Sequence, residues 1–169
     1  MTDHLTPDHR SWNMSRIRSK DTTPEKTVRS LLHRMGYRFR IHRRDLPGKP
    51  DVVLPKYSTV IFVHGCFWHR HKGCKYTTTP KTNTTFWQEK FERNVERDRN
   101  VQTALRNQGW HVLVVWECEL RELDALANRL THALSQAPLH YPIAPSAQQN
   151  AAETAGAYTL GNTKTPHSK

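Results

Sequence analysis

The order of apolar and polar residues along the chain predicts a first helix that begins near residue 22. Thr22 or Thr23 would cap this helix, and Pro24 suits its first turn. Glu25 stands three residues after Thr22, as in a capping box. Apolar residues then recur at helical spacing and stop at Gly36; they are Val28, Leu31, Leu32 and Met35. One face of this helix is therefore expected to pack against a core.

Three runs of strand-like residues follow the first helix. They occupy 37–42, 51–54 and 58–64, and a turn sequence separates the first run from the second. Because no helical pattern lies between the runs, we expect them to pair as an antiparallel meander.

The second half of the chain returns to helical periodicity. A long helix is predicted over 85–108, followed by a continuous apolar strand at 110–116 and a last helix over about 120–135. A strand reached through a helix is expected to run parallel to an earlier strand and to be buried on both faces. The order of elements predicts an α/β fold with a mixed central β-sheet flanked by helices.

The two ends of the chain show no sustained periodicity. Residues 1–20 carry several basic side chains and are expected to form a flexible basic arm. Residues 137–169 are rich in Pro, Ala, Thr, Ser and Asn, which predicts a disordered tail. The segment 21–136 between them is expected to be one domain.

The charge of the chain narrows the classes of partner. Lys and Arg outnumber Asp and Glu by 26 to 15, which gives a formal net charge of +11. A strongly positive protein attracts polyanions, so nucleic acid is the first expected partner and an acidic membrane surface the second. No apolar run approaches the roughly 18 residues of a membrane span, and the N-terminus is too charged for a signal peptide, so a cytoplasmic location is expected.

The segment from residue 64 to residue 74, HGCFWHRHKGC, combines cysteines, histidines and large aromatic residues. Cys66, His71 and Cys74 lie close enough in sequence to bind one ion, and thiolate with imidazole suits tetrahedral zinc. Cys118, at the end of the apolar strand, is the candidate fourth ligand of a closed structural site. The alternative is that the cysteines are small buried apolar residues.

Five further polar residues suit acid–base and metal chemistry. His64 and His69 are available to move protons, and Asp98, on the apolar stripe of the long helix, could orient one of them. Asp51 opens a strand and could hold Mg²⁺ against a phosphate, while Glu25 either joins it or only caps its helix. Each has a structural alternative, as a turn residue or as a core or surface histidine.

Phe67 and Trp68 are adjacent large aromatics inside the same segment. Both cannot point inward from a tight loop, so at least one is expected to be exposed. An exposed ring could insert between DNA bases. The alternative is that both rings pack over the metal site as a lid.

Together these segments resemble the very short patch repair (Vsr) DNA mismatch endonucleases over roughly residues 10–135. The similar segments are NMSRIRSKDTTPEK, LPGKPDVVLPKY, VIFVHGCFWHRH, FWQEKFERNVERDR and GWHVLVVWEC. The resemblance implies a fold like that of type II restriction endonucleases. It also implies a Mg²⁺-dependent nickase that cuts 5′ to the thymine of T·G mismatches left by deamination of 5-methylcytosine.

The resemblance implies a role for each catalytic candidate. Asp51 and the backbone carbonyl of Val63 would bind Mg²⁺, although the family commonly has threonine where Val63 stands. His69 would activate the attacking water and Asp98 would orient His69. The supporting residues would be His64, beside the metal-bound waters, and Glu25, an acid that contacts the same waters.

The resemblance also implies a structural zinc site and a DNA wedge. The zinc ligands would be Cys66, His71, Cys74 and Cys118, and the intercalating residues would be Met14, Phe67 and Trp68. This chain departs from the family by one extra residue between His71 and Cys74, which the glycine there can accommodate.

The expected partner is double-stranded DNA with a T·G mismatch, recognised by a monomer that does not contact a membrane. The resemblance further implies a functional association with a cytosine-5 DNA methyltransferase and downstream repair proteins, at the nucleoid in the bacterial cytoplasm. The alternative is a zinc-stabilised protein that binds distorted duplex without cutting it. Asp51 disfavours that alternative, because a carboxylate near phosphates repels them.

Overall fold

The computed structural model describes residues 20–137, together with Thr6, His9 and Trp12. Its helices and strands, numbered along this part of the chain, are α1 (Thr23–Arg34), β1 (Val52–Leu54), β2 (Thr59–His64), α2 (Thr84–Asn107), β3 (His111–Trp116) and α3 (Leu123–Ser135). Short 3₁₀ turns follow β1 and β3, at Pro55–Tyr57 and Glu117–Arg121. Met14 and most of the predicted arm and tail lie outside the described residues, so those predictions stay predictions.

The strands of the described chain form one mixed sheet in the order β1-β2-β3. The central strand β2 pairs antiparallel with β1, with Val60 opposite Val53. It pairs parallel with β3, with His64 opposite Trp116. A parallel pair needs a long crossover connection, which α2 supplies. The predicted mixed sheet with flanking helices is therefore confirmed.

The predicted strand at 37–42 is wrong. The segment makes one isolated bridge, in which Arg40 and Val53 exchange two backbone hydrogen bonds of 2.8 Å. His42 then adopts a left-handed conformation, with φ of 56°, which turns the chain away from the sheet. The expected meander is thus reduced to the antiparallel pair of β1 and β2.

Each face of the sheet carries its own apolar core. Helices α1 and α3 cover one face, and the buried residues there are Val28, Leu31, Leu32, Val52, Leu54, Ile61, Val115, Leu126, Leu130 and Leu134. Residues of α2 and the turn after it cover the other face, with Leu46, Val53, Val60, Phe62, Leu105 and Trp110. Successive side chains of a strand point to opposite faces, so Val52 and Val53 enter different cores. The two layers of helices hold the ends of β1 and β2 in place.

Strand β3 is less buried than its continuous apolar sequence predicted. Within it only Val115 is buried, and the other residues are half-buried. The expectation of burial on both faces is therefore met only in part. The side chains of β3 are covered only in part: Leu113 packs at the margin of the core under α1 and α3, and Val112 at the margin of the core on the α2 face.

The helix predictions agree with the structure to within a few residues. Helix α1 has Thr22 as its N-cap, and α2 is shifted by one residue from its predicted range. Helix α3 begins at Leu123, later than predicted, because the chain first makes the 3₁₀ turn Glu117–Arg121. None of the helices in the described part of the chain combines the length and apolar character that a membrane crossing requires.

Candidate active site and metal cluster

Asp51 precedes β1 and reaches across to the neighbouring strand. Its Oδ2 accepts a hydrogen bond of 2.7 Å from the backbone N–H of Val63 in β2. Burial raises the pKa of Asp51 to about 6, because the charged carboxylate loses water and the Val63 N–H offsets only part of that loss. A bound cation would therefore stabilise the charged form of Asp51.

Glu25 both caps α1 and places negative charge near Asp51. Its buried carboxylate accepts hydrogen bonds from the hydroxyl of Thr22 at 2.9 Å, the backbone N–H of Asp21 at 2.8 Å and the guanidinium of Arg29 at 2.9 Å. Burial is the largest cause of the raised pKa of Asp51. The charge of Glu25 raises this pKa further, whereas the charge of Arg29 lowers it. The capping role and a role beside Asp51 are therefore compatible.

His64, His69 and Asp98 form one compact group. The two imidazole rings stack with their centroids 3.8 Å apart and their planes 12° apart. Nδ1 of His69 lies 2.5 Å from Oδ2 of Asp98, which α2 contributes. The possible ligand atoms of the three residues all lie within 4.8 Å of one another. Asp98 therefore pairs with His69, while His64 stacks on the ring of His69.

The surroundings of this group set its protonation. Burial lowers the pKa of His64 to about 4, with a smaller contribution from the nearby His69. His64 is therefore neutral at pH 7. Burial, the largest single effect, would raise the pKa of Asp98. The hydrogen bond with His69 and the electrostatic effects of His69, His64 and Arg97 together outweigh burial, so the pKa of Asp98 is lowered. A charged carboxylate such as Asp98 can only accept a hydrogen bond, so Nδ1 of His69 carries the proton that is donated. The other ring nitrogen of His69, Nε2, is then the one that can accept a proton.

Cys66, His71, Cys74 and Cys118 form a second group, the metal cluster. Their possible ligand atoms also lie within 4.8 Å of one another. Nδ1 of His71 is 3.7 Å from Sγ of Cys66 and 3.4 Å from Sγ of Cys118. Three thiols and one imidazole at this spacing have the composition and compactness of a tetrahedral zinc site.

The sheet register explains why Cys118 joins residues so far away in sequence. His64 lies opposite Trp116 in the parallel pair, so Cys66 and Cys118, each two residues later, leave neighbouring strands side by side. All three cysteines are free thiols. Burial raises the pKa of the Cys66 thiol to about 12, so a metal ion must displace its proton on binding.

The loop between Cys66 and Cys74 is held by its own hydrogen bonds. The backbone N–H of His71 donates to the carbonyl of Cys66 at 3.1 Å. The hydroxyl of Thr77 donates to the carbonyls of Cys66 and His71 at 3.1 and 2.8 Å. Gly73 has a φ of +72° and open space around it, so the extra residue in this loop fits without strain.

Phe67 and Trp68 lie half-buried against α2. The ring of Phe67 makes edge-on contacts with Trp87 and Phe91, with centroid distances of 5.6 and 5.1 Å. The ring of Trp68 lies 5.9 Å from that of Trp87. Both rings therefore belong to an aromatic group on α2, and neither is fully exposed.

Three residues of α2 that were not predicted from the sequence contact Phe67 or Trp68. Trp87 packs on both Phe67 and Trp68, and Nζ of Lys90 lies 5.2 Å from the ring centroid of Trp68. The side-chain amide of Asn94 donates to the carbonyl of Trp68 at 3.2 Å. Helical spacing puts neighbours three and four residues apart on one face, and that signal was present in the sequence.

Comparisons with known proteins agree on one family. The family model described as DNA mismatch endonuclease Vsr matches residues 2–75. The chain is 54% identical over 134 residues to the type II nicking enzyme V.XorIIP of Xanthomonas oryzae pv. oryzae, which covers 79% of this chain and 98% of that protein. It is 48% identical over 128 residues to the DNA mismatch endonuclease Vsr of Escherichia coli, which covers 75% of this chain and 81% of that protein. This chain therefore belongs to the Vsr family of DNA mismatch endonucleases.

Proposed function

We propose that this protein is a Mg²⁺-dependent DNA endonuclease that nicks one strand of a duplex 5′ to the thymine of a T·G mismatch. The observation that carries the proposal is the hydrogen bond of 2.5 Å between His69 and Asp98. His69 also lies near enough to Asp51 to lower the pKa of the Asp51 carboxyl. The relatives are named as nicking enzymes and as a DNA mismatch endonuclease. The net charge of +11 suits a polyanionic substrate.

Asp51 and the backbone carbonyl of Val63 would hold the Mg²⁺. Oxygen donors are those that Mg²⁺ prefers, and the carboxylate of Asp51 is buried near Glu25, where a positive ion removes an electrostatic penalty. When bound, the ion would neutralise charge that develops on the scissile phosphate. Val63 would contribute through its main chain, so valine in place of the family's usual threonine leaves this donor unchanged.

His69 would accept the proton of the attacking water. Its Nδ1–H is held by Asp98, so Nε2 is the acceptor. The water oxygen would form a bond to phosphorus while its proton moves to Nε2. The bond from phosphorus to the leaving oxygen would break, and that oxygen would keep the electron pair and take a proton from solvent water. His64 is neutral and stacks on His69, so it supports the ring without adding positive charge.

The metal cluster would hold a structural zinc ion, because its four donors leave no open position for substrate. When bound, zinc would fix the loop that carries Phe67, Trp68 and His69. The two aromatic rings, with Met14 from the arm, would intercalate beside the mismatch. Fixing the loop would then fix the distance between the intercalating rings and the scissile phosphate.

The remaining assignments follow from the family resemblance or, for the division of the chain, from its charge, periodicity and composition. They are a restriction-endonuclease-like fold, an arm at 1–20, a domain at 21–136 and a disordered tail at 137–169. The protein would act as a monomer at the nucleoid in the bacterial cytoplasm. It would be associated in function with a cytosine-5 DNA methyltransferase and downstream repair proteins.

The experiment that tests the proposal separates it from a zinc-stabilised protein that only binds distorted DNA. A duplex with one T·G mismatch, labelled on the thymine strand, is incubated with the wild type or with Asp51→Asn, with and without Mg²⁺. The wild type should nick only with Mg²⁺ and only the mismatched duplex, and Asp51→Asn should bind without nicking. Asp124→Asn, an exposed carboxyl in the first turn of α3, is the matched control.

Two results would contradict the proposal, the first its endonuclease activity and the second the role of Asp51. The first is binding of the mismatch by the wild type without any nick in Mg²⁺. The second is equal nicking by the wild type and Asp51→Asn. Nicking of matched duplexes at the same rate would instead remove the T·G specificity.

A further inference from the structure

A continuous series of ring contacts links the metal cluster to the candidate active site. His71 stacks on Trp116, with ring centroids 4.1 Å apart and planes 3° apart. Trp116 meets His64 edge-on, at 5.4 Å and 76°. His64 stacks on His69, whose Nδ1 is bonded to Asp98. Trp116 is thus the one ring of this series that touches both groups.

The backbone of Trp116 is fixed from two sides. Trp116 is the last residue of β3 and lies opposite His64, the last residue of β2. Its backbone N–H donates a hydrogen bond of 2.7 Å to Oε2 of Glu119. Glu119 in turn pairs with Arg129 of α3, at 2.8 and 3.0 Å. The sheet and the Glu119–Arg129 pair therefore set where the indole lies.

We propose that Trp116 is a positioning residue, which sets the ring plane of His64, and through it that of His69, relative to the anchored His71. This inference rests on the proposed function, because it assigns Trp116 to the same hydrolysis. The indole itself does not ionise, so it would act through the rings that it contacts. Its effect follows from geometry, because a side chain that orients a reacting group changes the rate when that group moves by a fraction of an ångström.

The contacts of His64 show why this orientation needs the indole. His69 lies flat on one face of the His64 ring, and Phe62 is tilted against it with a centroid distance of 5.9 Å. The torsion that turns an imidazole about its Cβ–Cγ bond has broad minima, so these contacts alone leave the ring plane loosely defined. The edge-on contact with Trp116 restricts that rotation.

The test compares three variants with the wild type. Trp116→Leu removes the ring, and Trp116→Phe keeps an aromatic ring in its place. Trp110→Leu is the matched control, since Trp110 is a buried tryptophan just before β3 that packs in the core on the α2 face of the sheet. For each protein we would measure kcat and KM for nicking, bound zinc, and the NMR signal of the His69 Nδ1–H proton.

The expected result is a loss confined to catalysis. Trp116→Leu should lower kcat by about 10- to 100-fold with KM changed less than about twofold, as for residues that orient a catalytic group. The Nδ1–H signal of His69 should broaden through exchange with water in this variant. Trp116→Phe should restore most of kcat and the signal, and Trp110→Leu should lower thermal stability while keeping both.

Three results would overturn the proposal. One is equal kcat for Trp116→Leu and Trp110→Leu. Another is a loss in Trp116→Leu that lies in KM alone. The third is loss of zinc from Trp116→Leu with full recovery of kcat when Zn²⁺ is added, which would reduce Trp116 to a support of the metal cluster.

The NMR signal separates failure of this proposal from failure of the proposed function. If the wild type nicks no duplex, the proposed function fails, and the His69 signal still decides whether Trp116 orients the histidines. If the wild type nicks and the signal is unchanged in Trp116→Leu, only the role of Trp116 is overturned.

Discussion

Replacing Asp51 with asparagine should stabilise the folded protein at neutral pH in the absence of Mg²⁺. Burial raises the pKa of Asp51 from 3.8 to about 6. That difference corresponds to about 3 kcal/mol of unfavourable free energy when the carboxylate is charged. Asparagine carries no charge and keeps an oxygen that can accept from the Val63 N–H. The free energy of unfolding should therefore rise by up to about 3 kcal/mol at pH 7.5.

The stabilisation should shrink as the pH falls. Because the folded-state pKa of Asp51 lies above the unfolded value, the folded wild type takes up a proton at higher pH than the unfolded chain does. This uptake relieves the penalty in the wild type between about pH 6 and pH 4. The difference between Asp51→Asn and the wild type should fall to about 1 kcal/mol near pH 4.5.

Urea unfolding followed by circular dichroism measures this difference at several pH values. Asp124→Asn removes the same charge from an exposed site and should give no stabilisation. Added Mg²⁺ should stabilise the wild type and not Asp51→Asn, because a ligand stabilises only the state that binds it. Two results would refute the electrostatic penalty at Asp51: an Asp51→Asn variant no more stable than the wild type at pH 7.5, or a difference in stability that does not change with pH.

Three further substitutions test other parts of the structure. Asp98→Ala should lower kcat by about 10- to 100-fold, because His69 loses the acceptor that fixes its tautomer, and unchanged kcat in nicking assays would exclude that role. Cys118→Ser should reduce bound zinc in a metal analysis of the purified protein and lower the thermal midpoint, whereas undiminished zinc would remove Cys118 from the ligand set. Gly48→Ala should destabilise the fold by about 1–3 kcal/mol in urea, since φ is +68° and an added Cβ would clash with a methyl of Val101. Unchanged stability would show that this turn can rearrange.

Local patterns predicted the helices well because their signals lie within one helix. The cap at Thr22 and the apolar stripe of α1 depend on residues three and four positions apart, and both appear where the sequence places them. Strand predictions were less accurate, because a strand forms only where its backbone pairs with that of another strand. The alternation at 37–42 looked like a strand, yet only Arg40 finds a partner, in Val53.

The chemical groups available in this protein follow directly from its residue order. It placed Cys66, His71 and Cys74 within one loop and put His64 and His69 beside them, because short spacing forces such residues into proximity. It also placed a carboxylate, Asp98, on the apolar stripe of a helix, where it needs a partner.

Which of these groups come into contact depends on how the strands pair in the folded chain. The parallel register of β2 and β3 sets His64 opposite Trp116, and that one alignment brings Cys118 to the metal cluster and the indole between His71 and His64. Sequence spacing carries no information on such a register, because it depends on which strands pair and on how α2 crosses between them.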